Sequence, residues 1–154
     1  MTLVREELTD LKQLGGILLD IEERAQNADY ESTLQPFLET LEKTHAEQFR
    51  GQQDSSGSAW APLAPSTIAA KGHNRILYET GALEESLTSG GGDAIREVFD
   101  RGLVFGTSTE YAIFHQEGTS RMPARPPVGM QEATLDTMTN AVADAAVDQL
   151  RYTF

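Results

Sequence analysis

The residues of this chain with chemistry in reach are three histidines, four tyrosines and an excess of carboxylates. A metal site carried on a helix wants two ligands four residues apart, and His45, His73 and His115 show no such pairing. With no cysteine in the chain, thiolate metal sites and disulfides are excluded. No Gly-x-Ser-x-Gly elbow, Walker loop or dinucleotide glycine fingerprint is present. Ser89-Gly90-Gly91-Gly92 lacks the lysine and the strand-to-helix setting that a phosphate cradle needs. Carboxylates are plentiful, but no pair stands out from the acidic background, so a two-carboxylate glycosidase has no support. One reactive grouping is left, His115 with Tyr111 and nearby carboxylates, on which a hydrolase or nuclease would have to be built. The expectation is a protein that is not an enzyme, with no catalytic residue, no cofactor and no metal ion.

The elements that carry these residues follow from periodicity. Val4, Leu8, Leu11, Leu14, Leu18 and Ile21 recur at steps of three and four, giving an amphipathic helix from Leu3 to about Gln26. Gly15-Gly16 in its middle costs roughly 1 kcal/mol per glycine against alanine and marks a kink or a close packing. After a polar break, Ser32-Thr33-Leu34-Gln35 fits a capping box with Pro36 in the first turn. Leu34, Phe37, Leu38, Leu41, His45 and Phe49 form the buried stripe of this second helix, so His45 reads as structural. The loop Gly51 to Ser58 precedes Trp60, Pro62 and Leu63, and Ser66 or Thr67 caps a short helix through Ala70. Thr80 caps another. Ile95 to Phe99 and Leu103 to Thr107 flank Asp100-Arg101-Gly102, a three-residue hairpin loop. A last helix, about Gln131 to Arg151, places Leu135, Met138, Val142, Ala145, Ala146 and Leu150 on one face. The order predicts an α+β fold: N-terminal helices and a C-terminal helix packed on a small antiparallel sheet with a β-hairpin. It fits one domain over residues 1–154, divided into a helical region (1–50), a loop, hairpin and arm region (51–130) and a terminal helix (131–154).

Charge narrows the partners. The formal net charge is −12, spread as −6 over residues 1–50, −3 over 51–130 and −3 over 131–154. Such a balance argues against gripping phosphate backbones, and a channel lined by carboxylates would let DNA slide past. No apolar run is long enough to span a membrane and no secretory signal pattern opens the chain, so no membrane partner is expected.

The stretch from Gly106 to Met130 is the most unusual. A small-residue exit from the hairpin leads into Tyr111-Ala112-Ile113-Phe114-His115-Gln116, closed by Gly118. Then comes an arm, Met122-Pro123-Ala124-Arg125-Pro126-Pro127, whose prolines fix φ and hold their neighbours extended. An extended, donor-poor arm carrying one arginine reads as a contact surface. The candidate contact residues are Trp60, Pro62, Leu63, Tyr111, His115, Gln116, Arg121, Pro123, Arg125 and Pro126. Arg125 is expected to pair with carboxylates on a neighbouring acidic helix, leaving the free subunit folded if it is removed.

The ordered series Phe49, Gly57, Trp60-x-Pro62-Leu63, Thr67, Lys71, Leu77-x-x-x-Gly81-x-Leu83, Gly106-Thr107, Tyr111-Ala112-x-x-His115-Gln116-x-Gly118 and Pro123-Ala124-Arg125-Pro126 resembles the phage virion-morphogenesis family. That family covers tail-completion proteins of contractile-tailed phages and the G protein of Mu-like phages. One position departs from it: after Arg125-Pro126 the family often has an aromatic residue, and this chain has Pro127. The resemblance implies a structural protein of the virion neck, a tail terminator or head–tail joining protein. It would work as a homo-oligomeric ring, commonly a hexamer, with other neck, tail-tube or head-connector proteins as partners. The genome would pass nearby without sequence-specific binding, and assembly would take place in the host cytoplasm. A head-morphogenesis factor absent from the mature virion is the alternative within that setting; the His115-based hydrolase or nuclease is the alternative outside it.

Overall fold

A computed structural model describes residues 11–100 and 102–151, with side-chain surroundings from Gly15 onward except at Arg101 and Leu150. The element order is α1 (Leu11–Gln26), α2 (Glu31–Gly51), α3 (Pro65–Lys71), α4 (Ala82–Thr88), β1 (Ala94–Phe99), β2 (Gly102–Thr107), α5 (Ala112–Glu117) and α6 (Glu132–Arg151). The strands form one antiparallel hairpin. The fold is therefore α+β as expected, with helices packed around a two-stranded sheet.

Helix α2 is the spine, because its stripe buries Leu34, Leu38, Leu41, His45 and Phe49 along one side. The hairpin, α4 and α6 all pack against it. The expected capping box does not form: Asp29 accepts the Glu31 amide at 3.0 Å, so the helix begins at Glu31 and Ser32 lies inside it. Pro36 then falls in the helix interior rather than the first turn, where it removes the i→i−4 hydrogen bond to the Ser32 carbonyl. Beyond the helix, Gln52 takes the left-handed conformation, and Asp54 closes the Gly51–Ser58 loop by accepting the amides of Ser56 and Ser58. Those hydrogen bonds, led by the one from the Ser56 hydroxyl, hold the Asp54 carboxyl below its usual range.

Other boundaries shift by small amounts for identifiable reasons. Pro65 opens α3 with Ala64 as its cap, ahead of Ser66 and Thr67, since a proline costs nothing at the first helical position. Gly81, at φ 90°, takes the cap position of α4, while the Thr80 hydroxyl accepts the Ala82 amide at 3.4 Å. In the hairpin Phe99 pairs with Gly102, so the loop holds two residues instead of three. A Cβ on Gly102 would lie 3.2 Å from the Phe99 ring, which is laid across it.

The first helix differs most from expectation. Its proposed beginning at Leu3, with Val4 and Leu8, lies outside the described residues. In the described part Ile17, Ile21 and Ala25, spaced by four, are half-buried, and α1 leans on α6. Leu18, one step round the wheel, is 57 % exposed, so it does not belong to the packed seam. Among the described residues nothing stands within 4 Å of where a Cβ would lie on Gly15 or Gly16, so no close packing there accounts for them. On α6 the half-buried residues are Thr134, Met138, Ala141, Val142, Ala145 and Ala146; Leu135, expected on the same face, is exposed.

The core gathers where α2, α4, α5 and the linkers meet: Phe49, Trp60, Leu77, Leu83, Leu87 and Ala112, with Ile76, Phe105 and Val128 packed on it. Phe49 and Trp60 meet edge to face at 5.3 Å, the arrangement that aromatic quadrupoles favour. Arg96 fastens the hairpin to α2 through Glu42 at 2.7 Å.

His45 is structural, as its place on the stripe implied. Its Nδ1 lies 2.7 Å from the Leu41 carbonyl, and its Nε2 accepts the Gly129 amide at 3.4 Å, a pattern that requires the neutral Nδ1–H tautomer. Burial pushes its pKa down. The unfolded chain therefore binds the proton first on acidification, and stability falls as pH drops through the ordinary histidine value of about 6.5. The melting temperature is expected to be lower at pH 5.5 than at 7.5, with a smaller drop in His45→Gln. An equal drop in both proteins would assign the effect to other groups.

Candidate docking site

Three prolines deprive the arm from Pro123 to Gly129 of backbone donors, so it cannot be held as a strand in a sheet. Side chains hold it instead. The Trp60 indole donates to the Pro126 carbonyl at 3.0 Å. Gln116 offers both ends of its amide to Val128, accepting its N–H at 3.1 Å and donating to its carbonyl at 3.0 Å. The Arg125 amide donates to the His115 carbonyl at 2.7 Å, and the Gly129 amide ends the series on His45. Pro127 is fully buried. At the position where the resemblance implied an aromatic ring, this chain thus buries a proline of the arm.

The Arg125 side chain corrects the expectation set for it. It is 6 % exposed, and its Nε and Nη2 donate to the carbonyls of Ala61 and Pro62 at 2.6 and 3.0 Å. The guanidinium is drawn into its own subunit because Trp60-Ala61-Pro62 turns those carbonyls toward the arm, and a rigid donor fork suits them. Burial pulls its pKa below the ordinary value. Trp60 is likewise a core residue of its own subunit, 5 % exposed.

These clamps shape a cleft of about 710 Å³ between α3, the turn 77–81, the beginning of α5 and the arm. Six of the ten candidate contact residues line it: Leu63, Tyr111, His115, Arg121, Pro123 and Arg125. Trp60, Pro62, Gln116 and Pro126 do not; they hold the walls in place. Tyr111, the N-cap of α5, and His115, four residues on, reach the cleft together, their rings meeting edge to face at 6.0 Å. Lys71, Leu77, Glu79 and Leu83 also line the cleft, and sequence reasoning missed all four. Leu77 has φ 58°, a backbone state rare for leucine, and no local sequence signal marks it. Gly118, at φ 74° and ψ 179°, lets the chain turn from α5 into the arm at close range. A Cβ there would meet the Ala124 nitrogen at 2.7 Å.

The electrostatics of the cleft do not suit acid–base work. Burial lowers the His115 pKa first, and the nearby charges of Arg125 and Lys71 lower it further. A hydrolytic histidine is oriented by a carboxylate; this one is flanked by cations. Among the described residues no group of three or more His, Asp or Glu stands close enough to hold a metal ion.

No curated protein and no solved structure matches the chain. The model of the phage virion morphogenesis family matches residues 9–146, which includes every element from α1 to most of α6. The matched span contains both the clamped arm and the cleft it frames. The chain belongs to the phage virion morphogenesis family, as a structural, non-enzymatic protein of tail completion located in the tail and neck of the virion.

Proposed function

We propose that this chain is a subunit of a homo-oligomeric ring, a hexamer, that closes the tail at the neck and docks its neighbours through the cleft framed by the arm. The observation that carries this reading is the convergence of Leu63, Tyr111, His115, Arg121 and Pro123 on one concave surface. A ring needs heterologous contacts, in which one surface of a subunit meets a different surface of the next. A cleft whose walls are clamped by Arg125, Trp60 and Gln116 loses little conformational freedom when it is filled. Other neck, tail-tube or head-connector proteins would meet the ring above and below. The acid excess would let DNA pass without binding, provided carboxylates face the channel.

Counting copies tests the ring. Quantitative mass spectrometry of purified virions is expected to give about six copies of this chain per tail. One copy per particle would contradict the ring, and absence from infectious particles would transfer the protein to an assembly role.

A further inference from the structure

We infer that α5 couples one subunit to the next: its outer flank, Ile113 and Phe114 edged by Glu110 and Glu117, seats in the cleft of a second copy. The inference rests on the ring reading and names the contact that would build it. Successive residues of a helix advance by about 100°, so Tyr111 and His115 share one flank of α5 while Ile113 and Glu117 share the opposite one. Ala112 and Gln116 face inward. The helix therefore lines its own cleft with one side and presents the other side outward.

That outer side is an apolar knob without cover. Ile113 is 50 % and Phe114 55 % exposed. Glu110 and Glu117 are exposed, and no lysine or arginine lies between them in sequence. Neither forms an ion pair among the described residues, whose four salt bridges use Arg24, Arg75, Arg96 and Arg151. The cleft is the counterpart. Lys71 and Arg121 stand on it with no carboxylate partner among the described residues, the Lys71 ammonium reaching only the Arg75 carbonyl at 3.4 Å. In a chain of net charge −12 two copies approach most readily where acids meet cations; Glu79 is the one carboxylate lining the cleft, and neither cation is paired with it among the described residues.

Size and competition favour α5 as the occupant. A cleft of about 710 Å³ accepts a few side chains, not the length of a 20-residue helix. Leu18 and Leu19 on α1 are also exposed, but the adjoining Asp20 is already bound to Arg24 at 2.8 Å. Donor and acceptor lie on opposite flanks of one short helix, so copies joined this way continue in a single direction and close into a ring if the rotation allows.

The cysteine-free chain permits a direct test. A phage lacking this gene is complemented with the Glu117→Cys, Lys71→Cys double variant; its tails are purified, oxidised and run without reductant. A ladder of covalent multimers of this chain is expected, with none from a Leu18→Cys, Lys71→Cys control. A ladder from the control alone, or a link to a different protein, would overturn α5 as the occupant. Charge reversal supplies the second measurement. Lys71→Glu with Arg121→Glu should lower infectivity by about tenfold or more, and adding Glu110→Lys with Glu117→Lys should restore it. Unchanged melting temperatures keep folding out of the comparison, and loss without restoration would refute the contact. Several copies per tail without the ladder would sink this contact alone; a single copy per tail would sink the ring reading with it.

Discussion

Arg125→Ala is expected to lower the stability of the isolated subunit by about 3 kcal/mol, which for a chain of this size is a fall of roughly 6–12 °C in melting temperature. The substitution removes a guanidinium that satisfies the Ala61 and Pro62 carbonyls and leaves a gap beneath the arm. Hydrogen bonds to charged groups contribute more than neutral ones, and a buried acceptor left unpaired costs about 1–3 kcal/mol. Arg125→Lys keeps the charge but has no planar fork to reach two carbonyls, so it should recover less than half of the loss. Thermal unfolding of the three proteins checks this. A melting temperature unchanged in Arg125→Ala would mean that the arginine acts outside its own subunit after all. Assembly is expected to fail too, but as a consequence of a loosened cleft.

Gly118→Ala should be the most damaging single methyl group in the molecule. The backbone there, at φ 74° and ψ 179°, occupies a region that only glycine enters readily. The new Cβ would also lie 2.7 Å from the Ala124 nitrogen and 3.0 Å from the Met122 carbonyl oxygen, both backbone atoms that cannot swing aside. Strain and overlap together are expected to cost about 3 kcal/mol or more. The loss would show as a lower denaturant midpoint and as protease sensitivity starting within the arm. Gly92→Ala is the control, since nothing stands within 4 Å of its Cβ and its φ is not positive. Equal stability of the two variants would contradict the description of the turn.

Much of this fold is legible in the amino-acid sequence, and what is not has physical causes. The α2 stripe and the hairpin are readable because hydrophobic period and turn residues are local signals. The structural role of His45 follows from its place on that stripe. Helix boundaries are less so: Asp29 competes with Ser32 for the first amide, and Pro65 displaces two better side-chain caps. The arm is visible as a proline-stiffened segment, but its attachment is not. Arg125 and the Ala61 carbonyl lie 64 residues apart in sequence, and Trp60 and Pro126 66 apart, so no local pattern records either hydrogen bond. An arginine in a donor-poor arm looks free in the sequence, although the same lack of donors exposes carbonyls that an arginine can satisfy. The cleft residues Tyr111, His115 and Arg121 are nameable as contacts from their neighbourhood. That they share a concave wall with Lys71 and Leu63 depends on the tertiary fold alone.

A structural component that completes the tail and docks at the neck should be indispensable to joining tail and head. Electron microscopy of a lysate from a phage with this gene deleted tests that most directly. Filled heads beside separate tails are the predicted result, with abnormally long tails if the ring also terminates tube growth. Intact, infectious particles from the deletion would contradict that role.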